Sequence, residues 1–155
     1  MTLMPQRWTT FFAAVVLVVT TAGVGTAQQV SIENIRANAE LGYANQQFML
    51  GVAYEFGMLV PQDDAEAVRW YRLAAEQGSS SALFNLGAVY AAGQGVPQDD
   101  IRAYMWFNVA ASRLTGTQRE TATEWRDKTA NLLTPDQRAE AQRLAREWDE
   151  AHPRD

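Results

Sequence analysis

Residues 50–78 read LGVAYEFGMLVPQDDAEAVRWYRLAAEQG, and 36 positions later residues 86–114 read LGAVYAAGQGVPQDDIRAYMWFNVAASRL. Val60-Pro61-Gln62-Asp63-Asp64 coincides with Val96-Pro97-Gln98-Asp99-Asp100, Trp70 with Trp106, and Ala74-Ala75 with Ala110-Ala111. The same shift lays Arg36, Ala39, Glu40 and Gly42 on Arg72, Ala75, Glu76 and Gly78, and Phe48 on Phe84. A self-match at this period marks stacked supersecondary units, each burying its apolar face against a neighbour.

Within one unit the pattern predicts two helices. Phe48, Leu50, Gly51 and Tyr54 recur at three- and four-residue steps, the period of one helical face. Gly57 stands where a helix C-terminus takes a left-handed residue, and Pro61 cannot continue the helix. Asp63 or Asp64 then caps a second helix, with Glu66 in capping-box register to Asp63, and Ala67, Trp70, Tyr71, Ala74 and Ala75 follow before Gly78. The next unit runs from about Ser81 through a turn at Gly93-Gln94-Gly95 to a helix ending at Arg113. Small residues at Gly51/Gly87, Ala74/Ala110 and Ala75/Ala111 let helices approach, while Trp70/Trp106 and Tyr54/Tyr90 supply buried area.

Working outward, residues 28–43 hold an N-terminal segment and a partial repeat helix, Ile32 to Ala39, placed to cap the stack. Residues 44–113 are two repeats. After Arg113 the period breaks, and residues 114–150 read as a C-terminal capping helix pair. Gln118 to Leu133 forms one helix with Ala122, Trp125, Thr129, Leu132 and Leu133 inward. Thr134-Pro135-Asp136-Gln137 starts the other, with Ala141, Leu144, Ala145 and Trp148 on its inner stripe. Residues 151–155 are a polar tail expected to fray.

Residues 1–27 read as a signal peptide. Arg7 precedes the nine-residue apolar run Phe11 to Val19, and small residues at Gly25 and Ala27 suit cleavage after Ala27. Nine helical residues cover roughly 13 Å of a hydrocarbon core about 30 Å thick, so a membrane anchor is the alternative rather than the first reading. The expected location is therefore periplasmic or secreted. Removing one of 13 basic residues (Arg7) and none of the 18 acidic leaves 12 against 18, a formal charge of −6. That balance excludes nucleic acid as the expected partner, since such binding needs a clustered basic face. With no cysteine, an exported fold holds together by packing alone.

The motif Leu50-Gly51-x-x-Tyr54-x-x-Gly57, Val60-Pro61-Gln62-Asp63, Ala67-x-x-Trp70-Tyr71-x-x-Ala74-Ala75-x-x-Gly78, with its second copy from Leu86 to Ala111, resembles the Sel1-like repeat, a relative of the tetratricopeptide repeat. The resemblance covers about residues 36–113. It departs at Met58-Leu59, where glycine is common, and at Ser112-Arg113-Leu114, in place of the usual Glu-x-Gly ending. It implies an all-α fold, a right-handed α-solenoid of bacterial type used as an interaction scaffold. Some cysteine-rich relatives are linked to β-lactam chemistry. This chain has neither their cysteines nor a Ser-x-x-Lys motif, so that activity is not carried over.

No catalytic residues are assigned. The sole histidine, His152, sits in the tail; it supports no triad and no histidine-based metal site. Asp63-Asp64 and Asp99-Asp100 have the chemistry for calcium or acid–base work, yet each stands at a helix start, where capping accounts for it. Tyr71, Tyr104 and Phe107 read as core, and no cofactor is expected.

The leading reading is a non-enzymatic exported scaffold that binds a protein or peptide along the concave face lined by the first helix of each pair. The copies differ there at Met49/Asn85, Val52/Ala88, Ala53/Val89 and Phe56/Ala92, the candidate partner-binding residues. A competing reading packs them on Ile32–Arg36. Two other functional readings stay open: a cell-envelope enzyme, or an essential subunit of one, acting on cell-wall material; and self-association through apolar end faces.

Overall fold

The computed structural model describes residues 31–153; the expected signal peptide lies outside them. Seven α-helices follow one another: α1 (Ile32–Glu40), α2 (Ala44–Phe56), α3 (Asp64–Glu76), α4 (Ser80–Ala92), α5 (Asp100–Arg113), α6 (Gly116–Ala130) and α7 (Pro135–Ala151). No strand occurs among the described residues. α2 packs on α3 and α4 on α5, α3 joins the two pairs through α4, and α5 carries both α6 and α7. This is a helical solenoid.

Side-chain caps set most of the starts. Ser31, Asp63, Ser79 and Asp99 each accept from a backbone N–H of the following first turn. The first aspartate of each acidic pair therefore caps, while Asp64 and Asp100 accept from the side chains of Gln62 and Gln98. The capping box expected at Asp63 does not form, because the Asp63 N–H is already donated to the Tyr54 carbonyl (3.0 Å) and Glu66 pairs with Arg69 instead (2.9 Å). At Thr134 and Gln137 both halves of the box are present. Gly57 and Gly93 close α2 and α4 in the left-handed region, φ 63° and 67°.

The main core cluster runs from Ala67 to Ala145, with Tyr71, Leu83, Leu86, Phe107 and Val109 in it. Two smaller clusters flank it: Ile35, Ala39, Leu50 and Trp70 at one end, and Tyr104, Leu133 and Ala141 at the other. Close approach needs Gly51 and Gly87: a Cβ on either would lie 2.6 Å from the ring of Tyr71 or Phe107. Phe48 packs on Tyr71 and Phe84 on Phe107, at centroid distances of 5.8 and 5.3 Å. Repetition extends to a polar link between layers. Arg36 Nη2 donates to the Tyr54 hydroxyl (3.1 Å) and Arg72 Nη2 to the Tyr90 hydroxyl (2.7 Å).

Leu132 is the correction at the C-terminal end. It is 66% exposed, and Leu133 takes the buried place beside Tyr104 and Ala141. α6 stops at Ala130, and the tight turn Leu132 N–H to Thr129 carbonyl ends the helical period that the expectation extended. The tail is not loose where it is described: His152 stacks on Trp148 at 4.2 Å, and its carbonyl accepts from Arg113. Arg113, almost fully buried, also pairs with Asp149 at 2.7 Å and lies over Trp148.

Candidate functional site

The first helix of each pair presents the face on which the two copies differ. On α2, Met49 and Phe56 are 43% and 44% exposed, and Val52 between them is half-buried. On α4 the equivalent stripe offers Ala92, exposed, and Ala88, half-buried. These five remain at the surface.

Ala53, Asn85 and Val89 do not. All three are buried and offer almost no side-chain area to a partner. The reason is their place in the stack. Val89 belongs to the core cluster with Val68 and Tyr71 of α3, and Asn85 reaches the Tyr71 hydroxyl. On α2 the place of Tyr71 is taken by Ile35 of α1, which has no hydroxyl to offer, and Met49 stays 43% exposed. The difference between Met49 and Asn85 thus separates an end layer from an inner one.

At the margin of the α2 stripe the structure adds a group that the sequence comparison overlooked. The Tyr71 hydroxyl donates to the Glu55 carboxylate. Burial raises the carboxyl of Glu55 above its usual range, and the Asp64 carboxylate adds to this; the Tyr71 hydrogen bond acts against both. Burial first, and then Glu55, push the Tyr71 phenol strongly upward, so it stays a donor. In the second copy these positions are Ala91 and Phe107; the polar pair occurs once. Comparing 55 with 91 along the period was the signal available for it.

No group of three or more His, Cys, Asp or Glu side chains among the described residues is placed to hold a metal ion. None of the described helices is long and apolar enough to cross a membrane. A shallow concavity of about 350 Å³ lies elsewhere, between α5 and α6, lined by Asn108, Ala111, Ser112, Arg119, Thr123 and Arg126.

The Sel1 repeat family model matches residues 47–79 and 80–113. No curated protein sequence matches the chain. Among solved structures, it is similar to c5321, a protective antigen of uropathogenic Escherichia coli strains displaying an SLR fold. The two are 36% identical with a TM-score of 0.74, over 78% of this chain and 25% of that one. A Sel1 repeat protein from Oxalobacter formigenes is 33% identical with a TM-score of 0.53, over 56% of this chain and 36% of that one. This chain thus spans between a quarter and just over a third of the length of these relatives.

Proposed function

Starting from a chain that carries two Sel1 repeats, a repeat whose proteins generally mediate protein–protein interaction, we propose an exported, non-enzymatic scaffold that docks a peptide segment of a partner protein. The docking face is the stripe Met49, Val52 and Phe56 of α2, continued by Ala88 and Ala92 of α4. The observation that carries this reading is the exposure of Met49 and Phe56, two large apolar side chains one helical stripe apart. Ala88 and Ala92 keep the neighbouring helix low, so an extended chain can lie across both. Flexible Met and aromatic Phe suit apolar side chains of varied shape. Export follows from the apolar run and small residues before Gln28, and mass spectrometry of the protein from its native host tests it: a chain beginning at Gln28 supports it.

Photo-crosslinkers placed singly at Met49, Phe56 and Ala92, with Arg146 on α7 as the control position, test the docking face in the envelope fraction. One partner band common to the first three and absent from the control is the expected result. Equal labelling at all four positions would defeat the proposal.

A further inference from the structure

The concavity between α5 and α6 sits at the third turn of the repeat. In the first two layers the link between a second helix and the next first helix is Arg36–Tyr54 and Arg72–Tyr90. One further period places Asn108 and Arg126 there. A short amide stands where a long guanidinium reached across, and a tyrosine ring is gone. Both residues line the opening.

The whole stripe changes with them. On α4 the corresponding stripe is Leu83, Gly87 and Tyr90, all buried, with Gly87 set against the Phe107 ring of α5. The equivalent positions on α6 are Arg119, Thr123 and Arg126, on one face by their four- and three-residue steps. A terminal layer needs polar residues on its outer side. These three instead line the opening toward α5, with Arg119 exposed and Thr123 and Arg126 half-buried. No carboxylate lines the concavity, although the chain carries a formal net charge of −5.

Hydrogen bonds within the protein leave donors available. Arg119 Nε donates to the Leu114 carbonyl at 2.7 Å, fixing the guanidinium at the end of α5 and leaving its Nη groups for another acceptor. Arg126 donates through Nε and Nη2 to Asp127 Oδ1. The Asp127 side chain is 61% exposed, and an exposed ion pair of this kind is weak and easily exchanged. The Ser112 hydroxyl donates to the Val109 carbonyl and contributes no proton. Asn108 and Thr123 add an amide and a hydroxyl.

We propose that this concavity is an oxyanion site for a phosphate group, held between the Arg119 and Arg126 guanidiniums with Asn108 and Thr123 completing the contacts. Two planar forks, an amide and a hydroxyl together present more donors than the two oxygens of a carboxylate accept, whereas a tetrahedral phosphate offers acceptors on several sides. The site is separate from the α2–α4 docking stripe and stands or falls independently of it.

The test is a titration of the full chain with sodium phosphate against sodium chloride at equal ionic strength, following the 15N–Hε signals of its arginines. Saturable shifts confined to Arg119 and Arg126 are expected with phosphate and methyl phosphate. Arg126→Gln and Arg119→Gln should each weaken the apparent Kd at least tenfold, while Arg102→Gln leaves it unchanged. Should either variant fail to fold, the wild-type shifts still decide the matter. Shifts that chloride reproduces, that spread equally to Arg102 and Arg146, or that fail to saturate overturn the site. Acetate binding as tightly as phosphate overturns the choice of a tetrahedral anion.

Discussion

The turns at Gly57–Pro61 and Gly93–Pro97 have the same backbone course and different surroundings. Position 59 and position 95 both hold a left-handed conformation, φ 64° for Leu59 and 67° for Gly95. At Gly95 a Cβ would run into the backbone of the previous layer, the Asp64 carbonyl and the Ala65 nitrogen. Leu59, one period earlier, carries a full side chain that is 74% exposed. An inner turn packs on the previous layer and needs glycine. The first turn tolerates leucine, at the cost of backbone strain, because none of the described residues closes on it. The same contrast governs Met49 and Asn85, and it makes repeat one the exposed layer and repeat two the enclosed one.

The contrast is sharpest where the second repeat ends. Repeat one passes through Gln77 and Gly78 into α4; repeat two stops at Arg113, clamped to Asp149. Asp149→Ala leaves the buried Arg113 guanidinium without its carboxylate, with only the His152 carbonyl and the Trp148 ring beside it. It should destabilise the chain by roughly 3–5 kcal/mol in urea unfolding, whereas Gln77→Ala should change little. Gly95→Ala combines a main-chain clash with left-handed strain, about 2–4 kcal/mol together. An effect of Gly95→Ala no larger than that of an exposed surface change would break the comparison of the two turns.

Making repeat one resemble repeat two tests the polar pair. Tyr71→Phe strips Glu55 of its donor and should cost about 1–3 kcal/mol. Adding Glu55→Ala, the residue type that position 91 carries, should recover most of that loss. The double-mutant cycle measures the coupling directly, and additive losses would show the two side chains to be independent.

Glu55 also gives repeat one a pH signature. Its carboxyl is raised on folding, chiefly by burial, so the folded chain keeps the proton to a higher pH than the unfolded one. Its contribution is therefore fully present below the ordinary carboxylate range and is lost as pH rises through the elevated folded value. Above that value the profile is flat in this term. Urea unfolding across this window should show a shallower decline for Glu55→Gln than for wild type; parallel profiles would sink the assignment. Smallest of all, Leu59→Gly relieves left-handed strain of about 1–2 kcal/mol but adds backbone entropy to the unfolded chain. A net gain under about 1 kcal/mol in thermal unfolding is expected.

Much of the fold was legible because it is local. Asp63 and Asp99 cap, Gly57 and Gly93 stop helices, and Thr134 with Gln137 forms a box, each through contacts within a few residues. Gly51 and Gly87 were legible too, since repetition showed that both copies needed the same space. What failed was of another kind. Leu132 was assigned inward by extending a period past the last helical residue, and the box at Asp63 ignored a competing acceptor, the Tyr54 carbonyl across the turn. Surface position along the candidate stripe was legible in part: Met49, Val52, Phe56, Ala88 and Ala92 lie at the surface, while Ala53, Asn85 and Val89 lie inside.

By itself the sequence determined helix pairs, their caps and a 36-residue stacking repeat, because hydrogen bonding and amphipathic periodicity act between near neighbours along the chain. Only the tertiary structure decided which of two equivalent positions is covered, that Glu55 meets Tyr71, that Arg113 ties the second repeat to α7, and that Arg119 and Arg126 flank one opening. Burial of a repeat residue is set by the layer stacked against it, and that layer is distant in sequence and different at each end of the array.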